Sequence, residues 1–90
     1  MLETRVKIIN PLGLHARAAA QLVRLSGTFK SRILLKRLDS SVSADAKSIL
    51  NVLTLAASRG TELDVEVNGA DEQAALDAIV EIFEKGFGEI

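Results

Sequence analysis

Ninety residues suffice for one small domain, taken here as 1–90, and at that size only roughly 60 to 65% of the unfolded chain's surface can be buried. Apolar residues make up 48%, with three Phe and no Trp or Tyr, so the core must be built from Leu, Val, Ile and Ala. Eleven basic against twelve acidic side chains, a formal charge of −1, exclude the concentrated basic face that bulk nucleic-acid binding needs. The chain has no cysteine and a single histidine. That excludes a disulfide framework, a thiolate metal site and a multi-histidine zinc site, so no metal is expected. Glu3, Arg5 and Lys7 place charge early, and no long apolar run follows. A signal peptide and a membrane span are therefore not expected, and the cytoplasm is.

Residues 5–9 alternate charged and apolar before turning apolar, which predicts a strand; Asn10-Pro11-Leu12-Gly13 then breaks it. Ala19, Leu22 and Val23 recur at helical spacing and predict a first helix from Ala16 to Ser26, with Gly27 at its end. Residues 32–38 predict a second strand, Asp39-Ser40-Ser41 a turn, and Val42 the centre of a short third strand. Ile49, Leu50, Val52 and Leu53 predict a second helix from Ala46 to about Leu55, ended before Gly60.

Thr61 to Val67 carries the sharpest strand pattern: Leu63, Val65 and Val67 share one face, and Glu62, Asp64 and Glu66 the other. One dry and one wet face is the mark of an antiparallel sheet covered on one side. Leu76, Ile79, Val80 and Phe83 form a stripe along a last helix from Asp71 to Lys85, with Asp71 as its N-cap and Gly86 as its terminator. The order β-α-β-β-α-β-α predicts an α+β fold, with helices packed on one side of a sheet.

Chemistry concentrates at Gly13-Leu14-His15-Ala16-Arg17. His15 falls immediately before a predicted helix, where backbone N–H groups lack intrahelical partners and the helix dipole favours an anion by about 0.3–1 kcal/mol. An imidazole titrates near pH 6.5 in the absence of perturbation, so a neutral, nucleophilic ring is available at pH 7. Arg17 can place a guanidinium beside an oxyanion held by that ring. Spacing alone also permits the plainer reading of His15 as a surface residue or loose cap.

Gly13-Leu14-His15-Ala16-Arg17-Ala18-Ala19 closely resembles the active-site signature of the HPr family, the histidine phosphocarriers of the bacterial phosphotransferase system. Lys47-Ser48-Ile49-Leu50 resembles the family's regulatory-site segment. Arg59-Gly60-Thr61 and Asn68 to Leu76 supply a third match, in the family's order and at nearly its spacing. The resemblance implies an open-faced β-sandwich, a four-stranded antiparallel sheet covered on one face by three helices. It implies that His15 accepts a phosphoryl group from Enzyme I, itself phosphorylated by phosphoenolpyruvate, and passes it to an enzyme IIA protein or domain. Arg17 would steady the phosphate, the Ala16 N–H would face it at the helix start, and no cofactor would be needed. A monomer is expected.

Three departures stand out. Ala18 takes the place where the family most often has Pro, the stretch between His15 and Ser48 is about two residues longer than usual, and Asn51 stands where many relatives have Gly or Lys. Ser48 has two readings: a helix cap, or the target of a serine kinase and its phosphorylase, as in Gram-positive relatives. By resemblance, Ala20, Arg24, Ile49, Leu50 and Asn51 border the active centre and meet the partners; core packing is the alternative for Ile49 and Leu50. The family itself divides between sugar carriers and a nitrogen-related paralogue that acts in regulation without transport. Outside the carrier class stand a purely regulatory binding module, disfavoured by the presence of both His15 and Arg17, and a small-ligand-binding α+β domain.

Overall fold

The computed structural model describes residues 1–89. The elements run β1 (Leu2–Lys7), α1 (Ala16–Ser26), β2 (Arg32–Arg37), β3 (Ser43–Asp45), α2 (Ile49–Thr54), β4 (Glu62–Asn68) and α3 (Glu72–Glu84), with a 3-10 turn at Gly86–Gly88. The four strands form one antiparallel sheet in the order β1-β4-β2-β3. This is the open-faced α+β sandwich expected from the sequence, with β4 inserted between β1 and β2.

Strand register explains which face is dry. Val6 pairs with Leu63, Leu35 with Val65, Ile33 with Val67, and Leu35 also with Ala44, so these side chains share one face. All are buried, together with Ala18, Ala19 and Leu22 of α1, Val52 of α2, and Ala75, Ile79 and Phe83 of α3. The opposite face carries Arg5, Asp64, Lys36 and Glu66, tied by Arg5–Asp64 at 3.2 Å and Lys36–Glu66 at 2.8 Å. Such exposed pairs add little stability; their role is to keep the open face wet. No helix among the described residues is long and apolar enough to cross a membrane.

Element boundaries moved for identifiable reasons. β1 begins at Leu2 rather than Arg5, because β4 offers a partner to every residue from Leu2 (opposite Val67) to Lys7 (opposite Glu62). β3 is centred on Ala44 rather than Val42; Ala44 faces the core opposite Leu35, and Val42 is left exposed. α2 starts at Ile49, not Ala46, because the Ala46 N–H is bound to the Ile33 carbonyl at 3.0 Å and so extends the sheet.

Asp71 precedes α3 as expected, but its carboxylate does not cap that helix. It accepts instead from Lys30 N–H (2.8 Å), Ser31 N–H (2.9 Å) and the Ser31 hydroxyl (2.5 Å), tying the start of α3 to the segment before β2. The Ser31 hydroxyl first, then the Lys30 N–H, lower its pKa from 3.8 to about 2. A native carboxyl more acidic than its unfolded counterpart contributes stability that is complete above the unfolded pKa and lost as pH falls through the folded one. Wild type should therefore lose this contribution between about pH 4 and pH 2. In Asp71→Asn that part of the stability–pH curve should flatten, as measured by urea unfolding from pH 2 to 6.

Candidate functional site

The loop into α1 is built around a turn. Asn10-Pro11-Leu12-Gly13 closes with the Gly13 N–H on the Asn10 carbonyl at 3.2 Å, proline supplying the fixed φ of the second position. Asn10 is fully buried, and its side-chain amide donates to the Gly13 carbonyl at 2.8 Å. The Leu14 N–H binds the Ala57 carbonyl at 2.9 Å, docking the loop on the segment after α2. Leu14 is buried, so the chain emerges from it with a fixed heading and delivers His15 to the helix start.

His15 is the N-cap of α1, extended at φ −71° and ψ 179°. Its Nδ1 accepts from the Arg17 backbone N–H at 3.3 Å. A nitrogen that accepts a hydrogen bond carries its lone pair there, so the neutral ring has its proton on Nε2. That Nε2–H donates to Oε2 of Glu89. The His15 side chain keeps 24% of its surface exposed, enough for a partner to reach it. α1 has no acidic residue in its first turn, so nothing on the helix itself offsets the positive end of its dipole. The Arg17 side chain is exposed, and it pairs with no carboxylate among the described residues. The site thus combines an unprotonated ring nitrogen, a helix N-terminus and a guanidinium without a carboxylate partner among the described residues.

The other sequence-chosen residues divide. Ala16 opens α1, and Ala18, in the position where proline is commoner, is fully buried beneath the site. Ala20 is half-buried and Arg24 exposed on α1. α1 packs against α2, where Ile49 and Leu50 are exposed, Leu50 by 72%; core packing therefore does not account for them. Only Val52 of the predicted apolar face of α2 is fully buried. Leu12, 64% exposed, adds another apolar side chain on the loop that carries His15. Ser48 caps α2, its hydroxyl accepting from the Asn51 N–H at 3.4 Å, and the Asn51 side-chain carbonyl accepts from the Asp45 N–H at 3.4 Å. The structural role of Ser48 as a cap is thus observed, and Asn51 braces the turn from β3 into α2.

Glu89 escaped the sequence reading. Its Oε1 accepts from the Asn10 amide (3.2 Å) and the Leu12 N–H (3.4 Å), while Oε2 takes His15. The hydrogen bond to His15 first, then those from Asn10 and Leu12, hold its carboxyl below the usual range against the opposing effect of burial. The only local signal was Gly86-Phe87-Gly88, and a glycine pair around a phenylalanine says nothing of a contact 74 positions away.

A family model described as the PTS HPr component phosphorylation site matches residues 2–85. The chain is 46% identical over 89 residues to the phosphocarrier protein HPr of Cupriavidus necator, covering 99% of this chain and 98% of that one. It is 44% identical over 85 residues to the phosphocarrier protein NPr of Proteus mirabilis, covering 94% and 93%. The crystal structure of HPr-C-His from Thermoanaerobacter tengcongensis superposes with a TM-score of 0.92 at 36% identity, covering 100% of this chain and 99% of that one. Sequence, fold and the placement of one histidine at one helix start converge: the chain belongs to the HPr family of phosphocarriers of the phosphotransferase system.

Proposed function

We propose that the protein is a cytoplasmic phosphoryl carrier that accepts a phosphoryl group from phospho-Enzyme I on His15 and passes it to an enzyme IIA protein or domain. The observation that carries the reading is the contact of His15 Nδ1 with the Arg17 N–H, 3.3 Å apart at the N-terminus of α1. In the forward step Nδ1 attacks the phosphorus of the donor phosphohistidine. An Nδ1–P bond forms as the donor's N–P bond breaks, and the departing electron pair returns to the donor ring. The Ala16 and Arg17 N–H groups and the Arg17 guanidinium then meet the phosphate oxygens, as expected of an anion at a helix start. Transfer to the acceptor reverses the same bond changes.

Exposed Leu12, Ile49 and Leu50 supply an apolar centre, and Arg17 and Arg24 a basic rim. This combination suits brief, fast encounters with acidic partners. Ser48 borders that surface. A serine kinase acting there would replace a helix cap with close to two negative charges beside the exposed Ile49 and Leu50.

The test is direct. Incubation with Enzyme I and labelled phosphoenolpyruvate should leave an acid-labile, base-stable phosphate on the protein. A chain that stays unlabelled with several sources of active Enzyme I would sink the carrier reading. The relatives include carriers named HPr and NPr at nearly equal identity, so the acceptor is the second question. Sugar uptake is the first reading, and regulation through a nitrogen-related enzyme IIA the second. Offering the labelled protein a sugar-type and a nitrogen-related enzyme IIA side by side separates them by rate.

A further inference from the structure

The chain's last described residue reaches back to the site by a route its backbone fixes in advance. Gly86, Phe87 and Gly88 all take positive φ, at 57°, 54° and 79°. The resulting turn reverses the chain after α3 and is closed by the Glu89 N–H on the Gly86 carbonyl at 2.9 Å. Phe87 is buried, edge-on to Phe83 with ring centroids 5.1 Å apart. The tail is therefore anchored by its own apolar contact, and its carboxylate is not needed to dock it. The Glu89 side chain is 14% exposed, and its carboxylate spans three donors: the Asn10 amide, the Leu12 N–H and His15 Nε2. It lies on the ring edge opposite Nδ1, away from the N–H groups at the start of α1. It does not compete for the place of a bound phosphate.

We infer that Glu89 is the positioning residue of the phosphoryl-accepting histidine: it holds the Nε2 proton and ring orientation so that the Nδ1 lone pair faces the helix start. The inference depends on His15 being the phosphoryl acceptor. A carboxylate that binds the far N–H of a histidine fixes its tautomer and ring plane, and loss of such a partner reduces function by roughly 10- to 100-fold in sites of this logic. A second consequence follows from charge. When the Nδ1–P bond forms, the Nε2 proton stays in place and the ring becomes cationic. The anionic Glu89 then meets that new ring charge at Nε2, which offsets part of its repulsion of the dianionic phosphoryl group on Nδ1.

Glu89→Ala removes the acceptor and the charge together, whereas Glu89→Gln discards the charge and leaves one acceptor oxygen, for which His15 Nε2–H competes with the Asn10 amide and the Leu12 N–H. Two readouts are needed on the full chain: the 15N-resolved ring N–H of His15 at low temperature, and the rate of phosphoryl acceptance from phospho-Enzyme I. Wild type should show a protected, downfield Nε2–H, which E89Q weakens and E89A loses. Acceptance should fall on the order of tenfold in E89A, with E89Q in between, while the backbone amide spectrum around Phe87 persists in both. An E89A protein that accepts phosphate at the wild-type rate overturns the inference. So does one that slows but keeps the protected ring proton, since Glu89 would then act elsewhere. Failure of wild type to be labelled at all would strike the carrier reading instead, and the ring proton would still report on the contact.

Discussion

His15→Ala should reduce labelling from phosphoenolpyruvate and Enzyme I to background while leaving a folded protein. Two separate roles of the ring make this outcome informative. In the proposed role of nucleophile, Nδ1 is the ring nitrogen whose lone pair faces the helix start, where the Arg17 N–H meets it, and alanine offers no substitute. As N-cap, the ring satisfies one N–H of α1, and losing a cap costs about 1 kcal/mol. In a domain of this size that lowers the melting temperature by roughly 4–8 °C. Labelling that persists in the alanine variant would show that the phosphate resides elsewhere. A collapse of the fold would show that the cap, rather than the chemistry, is what the histidine supplies. The Arg17 guanidinium makes no ion pair among the described residues, so Arg17→Ala should slow transfer far more than it shifts the melting temperature.

Gly13→Ala should damage stability and transfer together. Gly13 sits at φ +66° with its would-be Cβ 2.6 Å from the Ala57 carbonyl oxygen and 2.8 Å from the Ser58 Cα. Both obstacles are backbone, so no rotamer change relieves them. The left-handed conformation alone costs an alanine roughly 1–2 kcal/mol, and displacing the docked segment adds to it. A total loss of at least about 2 kcal/mol, and a melting temperature lower by roughly 8 °C or more, is expected. The segment being pushed also holds the Leu14 N–H at 2.9 Å, one residue from His15. Transfer should therefore fall by roughly tenfold or more even at temperatures where the variant is folded. Gly27→Ala is the control. Gly27 has helical φ and ψ, and a Cβ there would meet nothing closer than 3.4 Å, so its effect should stay within about 0.5 kcal/mol. Equal losses in the two variants would remove the argument for a packed active-site loop.

Much of this architecture was legible along the chain. The alternation Leu63, Val65, Val67 was read as one dry face, and all three are fully buried. Such a pattern survives folding because a one-residue slip would turn every apolar side chain outward. α1 and α3 announced themselves through helical spacing, and the Asn10–Gly13 breakers correctly marked where the chain turns to present His15. Less was legible at the edges. β3 holds only three residues and α2 only six, too few for a period to stand out. The bounds of both were decided by pairing to β2: Ala44 opposite Leu35, and the Ala46 N–H on Ile33. Likewise, the apolar composition of α2 could not tell which side chains would be covered. Packing buried Val52 and left Leu50 on the surface.

The site shows the same division most clearly. The residues themselves placed the histidine at a helix start with an arginine two positions on, because capping and dipole effects act within one turn and leave a local signature. Asp71 was correctly placed before α3, yet the partners of its carboxylate, Lys30 and Ser31, lie about 40 positions earlier. Glu89 was invisible for the same reason: its contact with His15 spans 74 positions and exists only because three positive-φ residues and a buried Phe87 fold the tail back. Local sequence determined that His15 would meet an anion's natural docking place. Tertiary structure decided which ring nitrogen faces it, since the proton on the other is held by a side chain from the far end of the chain.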